Sequence, residues 1–263
     1  MAARARKGDV GNVRNAGDAV DGGGAGRRRK AGVQDGAQAG AQDIVQAGAE
    51  DIAQAGAFSA EAWFAARGWA PHAFQREAWA RYAAGESGLI HVPTGSGKTY
   101  AAYLGPLEEL VARRAVGEAG AVAFGAAAGA SVLYITPLRA VARDIELALR
   151  LPVDELGLPV TVGSRTGDTE ARERARQRER LPDVLVTTPE SLTLMIANDR
   201  AEELLAGVRA VIVDEWHELL SSKRGVQVEL ALARLRTLAP ELRTWGLTLA
   251  TICLLYTSDA ADE

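Results

Sequence analysis

The sequence predicts an α/β domain built on a mostly parallel β-sheet that helices cover on both faces. Four short aliphatic runs indicate strands: GLIHV near 88, SVLYIT near 131, DVLVTT near 183 and VRAVIVD near 208. Segments with the spacing of amphipathic helices alternate with these runs. A run that is apolar throughout is typical of a strand buried on both faces, and parallel sheets in α/β domains are built from such strands.

Helical periodicity and a capping residue indicate where helices lie and where folded structure begins. Apolar residues fall at helical spacing in two segments, at Leu138, Val141, Ala142, Ile145 and Leu149, and at Val228, Ala231, Leu232 and Leu235. Further upstream, Ser59 can cap a helix that has Glu61 in its first turn and Trp63 on its apolar face. We therefore expect folded structure to begin at Phe58.

Residues 1–57 are expected to form a disordered tail. They consist largely of Ala, Gly, Gln and Asp and carry few large apolar side chains, so they cannot bury enough surface to offset the entropy of ordering. An eight-residue unit recurs within them, as QAGAQDIV from Gln38 and QAGAEDIA from Gln46. Such a period can mark a small solenoid, but one or two aliphatic residues a unit favour a solvated tail.

Composition excludes several classes of protein. The chain has 48% hydrophobic residues, enough for a buried core, but no apolar run long enough for a signal peptide or a membrane span. Its single cysteine, Cys253, excludes an internal disulfide. The net charge of -4 argues against a uniformly basic nucleic-acid binder, so contacts with nucleic acid must come from local patches. We expect a cytoplasmic protein that does not bind membranes.

A phosphate-binding loop follows the first predicted strand. Between GLIHV and a segment that can continue as a helix lie Pro93, Thr94, Gly95, Ser96, Gly97, Lys98 and Thr99. Small residues allow consecutive backbone N–H groups to turn onto phosphates, and the helix that follows presents its positive end. Lys98 is expected to reach the β- and γ-phosphate oxygens, and the Thr99 hydroxyl to ligate Mg²⁺. The loop therefore predicts a site for ATP and Mg²⁺.

An acidic pair ends the last of the four predicted strands. Asp214 and Glu215 follow VRAVIVD, at the same edge of the predicted sheet as the phosphate loop. Asp214 is expected to hold Mg²⁺, and Glu215 to orient and deprotonate the attacking water. An Asp-Glu pair at a strand end is common by itself. Its place downstream of a phosphate loop makes Asp214, Glu215 and Lys98 the candidate catalytic residues.

The run DEWHELLSSKRGVQVELALARLR, from Asp214 to Arg236, resembles the DExH-box helicases of superfamily 2, and especially the ligase-associated Lhr-type DNA helicases. The resemblance covers residues 58–247. It implies a P-loop RecA-like domain, the first of two motor domains in an ATP-dependent DNA helicase or translocase of DNA repair. Val92 stands where the general phosphate-loop pattern has glycine, and superfamily 2 helicases commonly lack that glycine. A repair ligase or nuclease is a further partner implied by the family.

The resemblance also assigns a role to residues near the adenine. Gln75, in HAFQREAW, corresponds to the glutamine that reads the adenine edge, since its amide can both donate and accept. Trp63, Trp69 and Trp79 are candidates for an adenine-stacking surface, although packing in the core is the favoured interpretation. His217, inside the DExH run, is a candidate for coupling hydrolysis to strand contact.

Three short segments resemble the motifs with which such helicases hold a nucleic-acid strand. They are Thr136-Pro137-Leu138-Arg139, Thr166-Gly167-Asp168 and Thr188-Pro189-Glu190-Ser191. The first and the last are strand ends that turn into helices, where hydroxyls and free N–H groups can hold consecutive phosphates without reading bases. The run ARERARQRER from Ala171 has self-compensating charge and is expected to be a solvated helix face.

The C-terminal segment departs from the family pattern. Gly246-Leu247-Thr248-Leu249-Ala250-Thr251 differs from the family's Gly-Leu-Ser-Ala-Thr, and residues 248–263 are expected to be a non-native tail. The second RecA-like domain, with its arginine fingers, is missing from the sequence. We therefore expect this chain alone to bind ATP weakly and to show no stimulated hydrolysis.

The sequence leaves two alternatives open. The segments that hold phosphates distinguish poorly between sugars, so an RNA-directed DExH helicase fits the same residues. A nucleotide-binding module without turnover is the other alternative. We favour single-stranded or duplex DNA as the nucleic acid.

Overall fold

The protein, for which we describe a computed structural model, is built around six parallel strands. The structure describes residues 58–115, 129–219 and 222–249. The predicted tail at 1–57 and all but the first two residues of the predicted tail at 248–263 lie outside these ranges.

Helices and strands alternate through most of the described ranges. In chain order the elements are α1 (Ala60–Ala66), α2 (Ala73–Ala83), β1 (Gly88–Val92), α3 (Lys98–Ala115), β2 (Val132–Ile135), α4 (Arg139–Glu155), β3 (Val162–Arg165), α5 (Ala171–Glu179), β4 (Val184–Thr187), α6 (Pro189–Ile196), α7 (Ala201–Leu205), β5 (Ala210–Val213), α8 (Trp216–Leu219), α9 (Lys223–Leu238) and β6 (Arg243–Leu249). Ser59 caps α1 as predicted, because its side chain accepts a hydrogen bond from the Ala62 N–H. Of the helices in these ranges, none is long and apolar enough to cross a membrane.

The strands lie in the order β1-β6-β5-β2-β4-β3, and every neighbouring pair is parallel. The carboxyl ends of all six strands therefore meet at one edge of the sheet, where ligands of such sheets bind. The strand order also places two groups of three strands side by side along that edge. We call β1, β6 and β5 the nucleotide half, and β2, β4 and β3 the nucleic-acid half.

Three inner strands of the sheet, β2, β4 and β5, are buried on both faces. In β2, Val132 and Tyr134 pack into the core on the face covered by α1 to α4, whereas Leu133 and Ile135 pack on the face covered by α6 to α9. All four side chains are at most 1% exposed. Burying an aliphatic side chain of this size stabilises the fold by roughly 1.5 to 3 kcal/mol. The predicted fold class, a mostly parallel sheet with helices on both faces, is confirmed.

Two strands were not predicted. The sequence of β3, VGSR, has a single aliphatic residue, and its four residues are only partly buried at the edge of the sheet. The strand β6 pairs with β1 as far as Thr248 opposite His91 and Leu249 opposite Val92, which carries the sheet past the expected boundary at 247. The apolar stripe predicted from Leu138 also begins too early, because Leu138 precedes α4 and is 52% exposed.

Candidate functional site

The phosphate loop connects the end of β1 to the start of α3. Gly95 and Gly97 have φ angles of 79° and 84°, a left-handed conformation that glycine adopts without strain. The Ser96 hydroxyl and N–H donate to the Pro93 carbonyl at 2.7 and 3.4 Å, which closes the turn. Thr94 is exposed at the rim of the loop. Lys98 and Thr99 form the first turn of α3, whose N-terminal end therefore faces the loop.

Lys98 is buried, with 9% of its surface exposed, and contacts two strands. Its ammonium group donates to the Val92 carbonyl at the end of β1 and to the Thr248 carbonyl in β6, each at 3.3 Å. Both hydrogen bonds are long for an ammonium donor, so phosphate oxygens can replace these carbonyls at little cost.

Gln75 lies beneath the phosphate loop. Its side chain is 2% exposed, donates from Nε2 to the Gly97 carbonyl at 3.1 Å, and accepts from the His72 N–H at 2.8 Å. The amide therefore braces the loop directly. An adenine contact by the same amide stays a prediction, and it would use the remaining N–H and lone pair.

The tryptophans near Gln75 have two different environments. Trp63 and Trp79 are 0% and 7% exposed and pack in the core, which was the favoured interpretation. Trp69 is 43% exposed, and the Arg67 guanidinium lies 4.2 Å from its ring centroid. Of the three predicted candidates, Trp69 is thus the one with an accessible ring.

The acidic pair follows β5 at the same edge of the sheet. Asp214 accepts hydrogen bonds from the Glu215 N–H at 2.9 Å and from the Tyr134 hydroxyl at 3.0 Å. Burial raises the pKa of Asp214 above its usual value, and these two donors act in the opposite direction. Glu215 has a φ of 45°, rare for a residue with a side chain. Such strain costs about 1 to 3 kcal/mol and is concentrated at functional sites.

Tyr134 contacts one of the two predicted magnesium ligands. Its hydroxyl donates to a carboxylate oxygen of Asp214 at 3.0 Å, whereas Thr99, the other predicted ligand, lies in the first turn of α3. Hydroxyl and carboxylate oxygens suit Mg²⁺, which also takes phosphate oxygens and water as ligands. Within the described ranges no group of three or more His, Cys, Asp or Glu side chains forms a metal centre by itself. A magnesium ion here would therefore depend on the nucleotide.

His217 lies between the acidic pair and β6. Its Nδ1 is 3.3 Å from the Thr248 hydroxyl and 3.5 Å from a carboxylate oxygen of Glu215. Thr248 also accepts from Lys98 through its carbonyl. The imidazole therefore connects the carboxylate of Glu215 to the strand beside the phosphate loop, and its role in coupling stays a prediction.

The turn after β2 contains the first predicted nucleic-acid segment. Thr136 is fully buried, its N–H donates to the Thr187 carbonyl at 2.9 Å, and its hydroxyl accepts from the Leu138 N–H at 3.4 Å. Its side chain is therefore used to shape the turn. Arg139 is exposed at the start of α4 and is free to reach a phosphate.

The turn after β4 is closed by a helix cap. Thr188 caps α6, which begins at Pro189, by accepting from the Ser191 N–H at 3.4 Å, and the side chains of Thr188 and Ser191 are 1% and 9% exposed. Glu190 forms an ion pair with Arg224 at 2.7 Å. A carboxylate held in this way repels a phosphate and is unsuited to direct contact. Backbone N–H groups are the better candidates here.

Arg224 links two of the predicted segments, and no role was predicted for it. Besides its ion pair with Glu190, it donates to the Pro137 carbonyl at 3.2 Å. It is the second residue of α9 and belongs to the run that resembles DExH-box helicases. Its partners are 34 and 87 residues away in sequence, so no local pattern indicates them.

The turn after β3 contains Thr166, Gly167 and Asp168. Its conformation is held by Arg174, which donates to the Thr166 carbonyl at 3.4 Å and to the Gly167 carbonyl. A Cβ on Gly167 would lie 2.8 Å from an Arg139 guanidinium nitrogen, so this turn packs directly against the first predicted segment. Arg174 belongs to the run for which only a solvated helix face was predicted. Most of this run is exposed, as predicted, and the contact of Arg174 with the turn was not predicted.

A groove of about 530 Å³ runs beside these two turns. Its lining includes Arg139, Thr166 and Asp168, together with Arg143, Arg150 and Arg176 from α4 and α5. Acidic residues also line it, Glu146 and Glu173 among them. A bound strand is therefore expected to face a surface that carries both arginines and carboxylates. Exposed Arg139 is the main candidate for contact with a phosphate.

Comparison with known proteins identifies the family. The sequence profile of the DEAD/DEAH box helicases matches residues 72–253. The chain is 41% identical over 185 residues to the Lhr helicase/probable uracil glycosylase of Mycolicibacterium smegmatis and 40% identical over 186 residues to the Lhr helicase/uracil glycosylase of Escherichia coli. These matches cover 66% and 67% of this chain. The chain spans 12% of the length of either relative.

Solved structures give the same result. The structure of the Mycobacterium smegmatis helicase Lhr bound to single-stranded DNA and AMP-PNP matches 74% of this chain and 25% of that protein, with a TM-score of 0.61 and 38% sequence identity. The DEAD-box helicase Mss116, bound to single-stranded RNA and UDP-BeF, matches with a TM-score of 0.60 at 17% identity, a likeness of fold alone.

Proposed function

The chain belongs to the DEAD/DEAH box helicase family, and we propose that it is the first motor domain of an ATP-dependent DNA helicase or translocase of the Lhr type. One observation carries the proposal. The phosphate loop and the acidic pair lie at the carboxyl ends of the nucleotide half of the sheet, and the turns expected to hold a strand lie at the same ends of the nucleic-acid half. One edge thus combines nucleotide chemistry with strand contact.

The residues of the nucleotide half bind and orient the substrate. The N–H groups of the phosphate loop and the start of α3 receive the phosphates, and Lys98 exchanges its two carbonyl partners for phosphate oxygens. Thr99 and Asp214 would hold Mg²⁺, which neutralises charge on the phosphates when it is bound. Glu215 lies next to Asp214 and would accept the proton of the attacking water.

The nucleic-acid half would hold one strand by its backbone. Buried Thr136 and Thr188 shape their turns, which leaves Arg139 and backbone N–H groups to contact phosphates. Such contacts position a strand without reading its sequence. His217 and Thr248 would pass changes at Glu215 to β6.

DNA is the proposed nucleic acid because the related Lhr structure holds single-stranded DNA. RNA is the alternative, since contacts with phosphates do not distinguish ribose from deoxyribose. The whole protein's activities, namely unwinding with a second RecA-like domain, action in DNA repair and association with a repair ligase or nuclease, are proposals that follow from the family.

Hydrolysis is tested in a chimera in which residues 58–249 replace the matching segment of the M. smegmatis Lhr helicase. We expect DNA-stimulated ATP hydrolysis by the chimera, and we expect Glu215→Gln to reduce it by roughly a hundredfold or more with AMP-PNP binding unchanged. Glu218→Gln is the matched control, because Glu218 is an exposed acid in α8, the short helix that directly follows Glu215. A folded chimera that binds AMP-PNP without hydrolysing ATP would favour a nucleotide-binding module.

The choice of nucleic acid is tested with the 263-residue chain itself. Fluorescence anisotropy compares its affinity for single-stranded DNA and RNA of the same length and base order. Tighter binding of DNA is expected. Tighter binding of RNA would favour the RNA-directed alternative and leave the nucleotide assignment intact.

A further inference from the structure

Tyr134 donates a hydrogen bond to Asp214, and we propose that it is a positioning residue that orients this carboxylate toward Mg²⁺. The proposal rests on the proposed binding of ATP with Mg²⁺ and deepens it. Its starting point is the hydrogen bond from the Tyr134 hydroxyl to an oxygen of Asp214 at 3.0 Å.

The sheet fixes the place of Tyr134. It is the third residue of β2 and pairs with Ile212 in β5, the strand that immediately precedes Asp214. Its ring is fully buried in the core on the face that α3 covers. The hydroxyl therefore reaches Asp214 from inside the domain.

This hydrogen bond acts on a partly buried carboxylate. One oxygen of Asp214 accepts from the Glu215 N–H and the other from the Tyr134 hydroxyl. The two donors together fix the plane of the carboxylate. Loss of the Tyr134 hydroxyl should therefore leave the carboxylate of Asp214 less fixed.

The test measures how strongly Mg²⁺ increases nucleotide affinity. The full chain and its Tyr134→Phe variant are titrated with a fluorescent N-methylanthraniloyl derivative of AMP-PNP, in MgCl₂ and in EDTA. We expect the substitution to weaken binding about tenfold in Mg²⁺, the effect of one lost hydrogen bond to a charged group, and to leave binding in EDTA unchanged.

Tyr103→Phe is the matched control. Tyr103 is another fully buried tyrosine, in α3, and among the residues that the structure describes its hydroxyl has no hydrogen-bond partner. Its removal should change neither titration. Thermal melting of both variants shows whether they fold, and Tyr134→Leu, which also lacks the hydroxyl, is titrated instead if Tyr134→Phe does not melt cooperatively.

The possible results separate this inference from the proposed function. If the unmodified chain binds the nucleotide no better in Mg²⁺ than in EDTA, the proposed function is wrong and the inference falls with it. If Mg²⁺ increases affinity equally in the unmodified chain and in Tyr134→Phe, the inference alone is wrong. Equal weakening in Mg²⁺ and EDTA would show a structural role. Tighter binding in Mg²⁺ would show that the hydroxyl competes with the ion.

Discussion

The two halves of the sheet hold their functional residues in different ways. In the nucleotide half the functional residues have partners that are distant in sequence: Lys98 donates to Thr248, 150 residues away, and Asp214 accepts from Tyr134, 80 residues away on the neighbouring strand β2. In the nucleic-acid half the threonine hydroxyls that cap the turns bond locally, and Arg224 adds contacts with Glu190 and Pro137 from 34 and 87 residues away. Thr166 accepts from the N–H two residues later, and Thr188 from the N–H three residues later.

This difference has a consequence for mutation. A local cap stabilises its own turn and leaves the other N–H groups available to phosphates, so its loss should affect mainly strand binding. A contact between distant segments exists only in the folded domain and connects several elements. Two substitutions within the nucleotide half are therefore expected to have non-additive effects. One substitution in each half should have nearly additive effects.

The largest effect is expected at Lys98, which contacts β1 and β6 at once. Lys98→Ala should weaken the affinity for AMP-PNP with Mg²⁺ by roughly a hundredfold, because charge-assisted hydrogen bonds to the phosphates are lost. Strand affinity in the absence of nucleotide should be unchanged. Isothermal titration calorimetry measures the first quantity and fluorescence anisotropy the second.

Lys223→Ala removes an exposed lysine at the start of α9 and serves as the control for loss of charge. Unchanged nucleotide affinity in Lys98→Ala would contradict the assignment of the phosphate loop. A loss of strand affinity as large as the loss of nucleotide affinity would contradict the separation of the two halves.

The same difference explains what could be predicted from the sequence. The phosphate loop and the acidic pair were located from the order of residue types along the chain, and the turns from their resemblance to helicase motifs. The fully apolar runs located β1, β2, β4 and β5, whereas β3 lacks that pattern. In the sequence, nothing distinguishes Tyr134 from other strand residues, and nothing distinguishes Arg224 from other charged residues of a helix. Their partners come close only when the sheet has formed.

A smaller effect is expected at Arg139, the exposed arginine of the nucleic-acid half. Arg139→Ala should weaken binding of single-stranded DNA about fivefold for every base composition, because a contact to phosphate carries no sequence information. The slope of log affinity against log salt concentration should fall by about 0.7, the value for one phosphate on a single strand. Anisotropy titrations at several salt concentrations measure both.

Arg234→Ala, at an exposed position of α9 where the arginine contacts Thr237, is the control for Arg139. It should leave the salt dependence unchanged. A weakening confined to one base composition would mean that Arg139 reads bases and that the nucleic-acid half does more than hold the backbone.

The smallest effect is expected at Thr188, and it tests the locality of the nucleic-acid half most directly. Thr188→Ala removes the cap of α6, which should cost about 1 kcal/mol of folding free energy. In a domain of this size that corresponds to a decrease of roughly 2 to 4 °C in Tm. Thr188→Ser keeps the capping oxygen, so the difference in melting between the two variants isolates the cap from the lost methyl group.

Because the cap bonds only within its own turn, to Ser191, strand affinity should fall about twofold more in Thr188→Ala than in Thr188→Ser, and nucleotide affinity should be equal in both. A matching loss of nucleotide affinity in Thr188→Ala would mean that this turn is coupled to the phosphate loop across the sheet, and that the division of the edge into two independent halves is wrong.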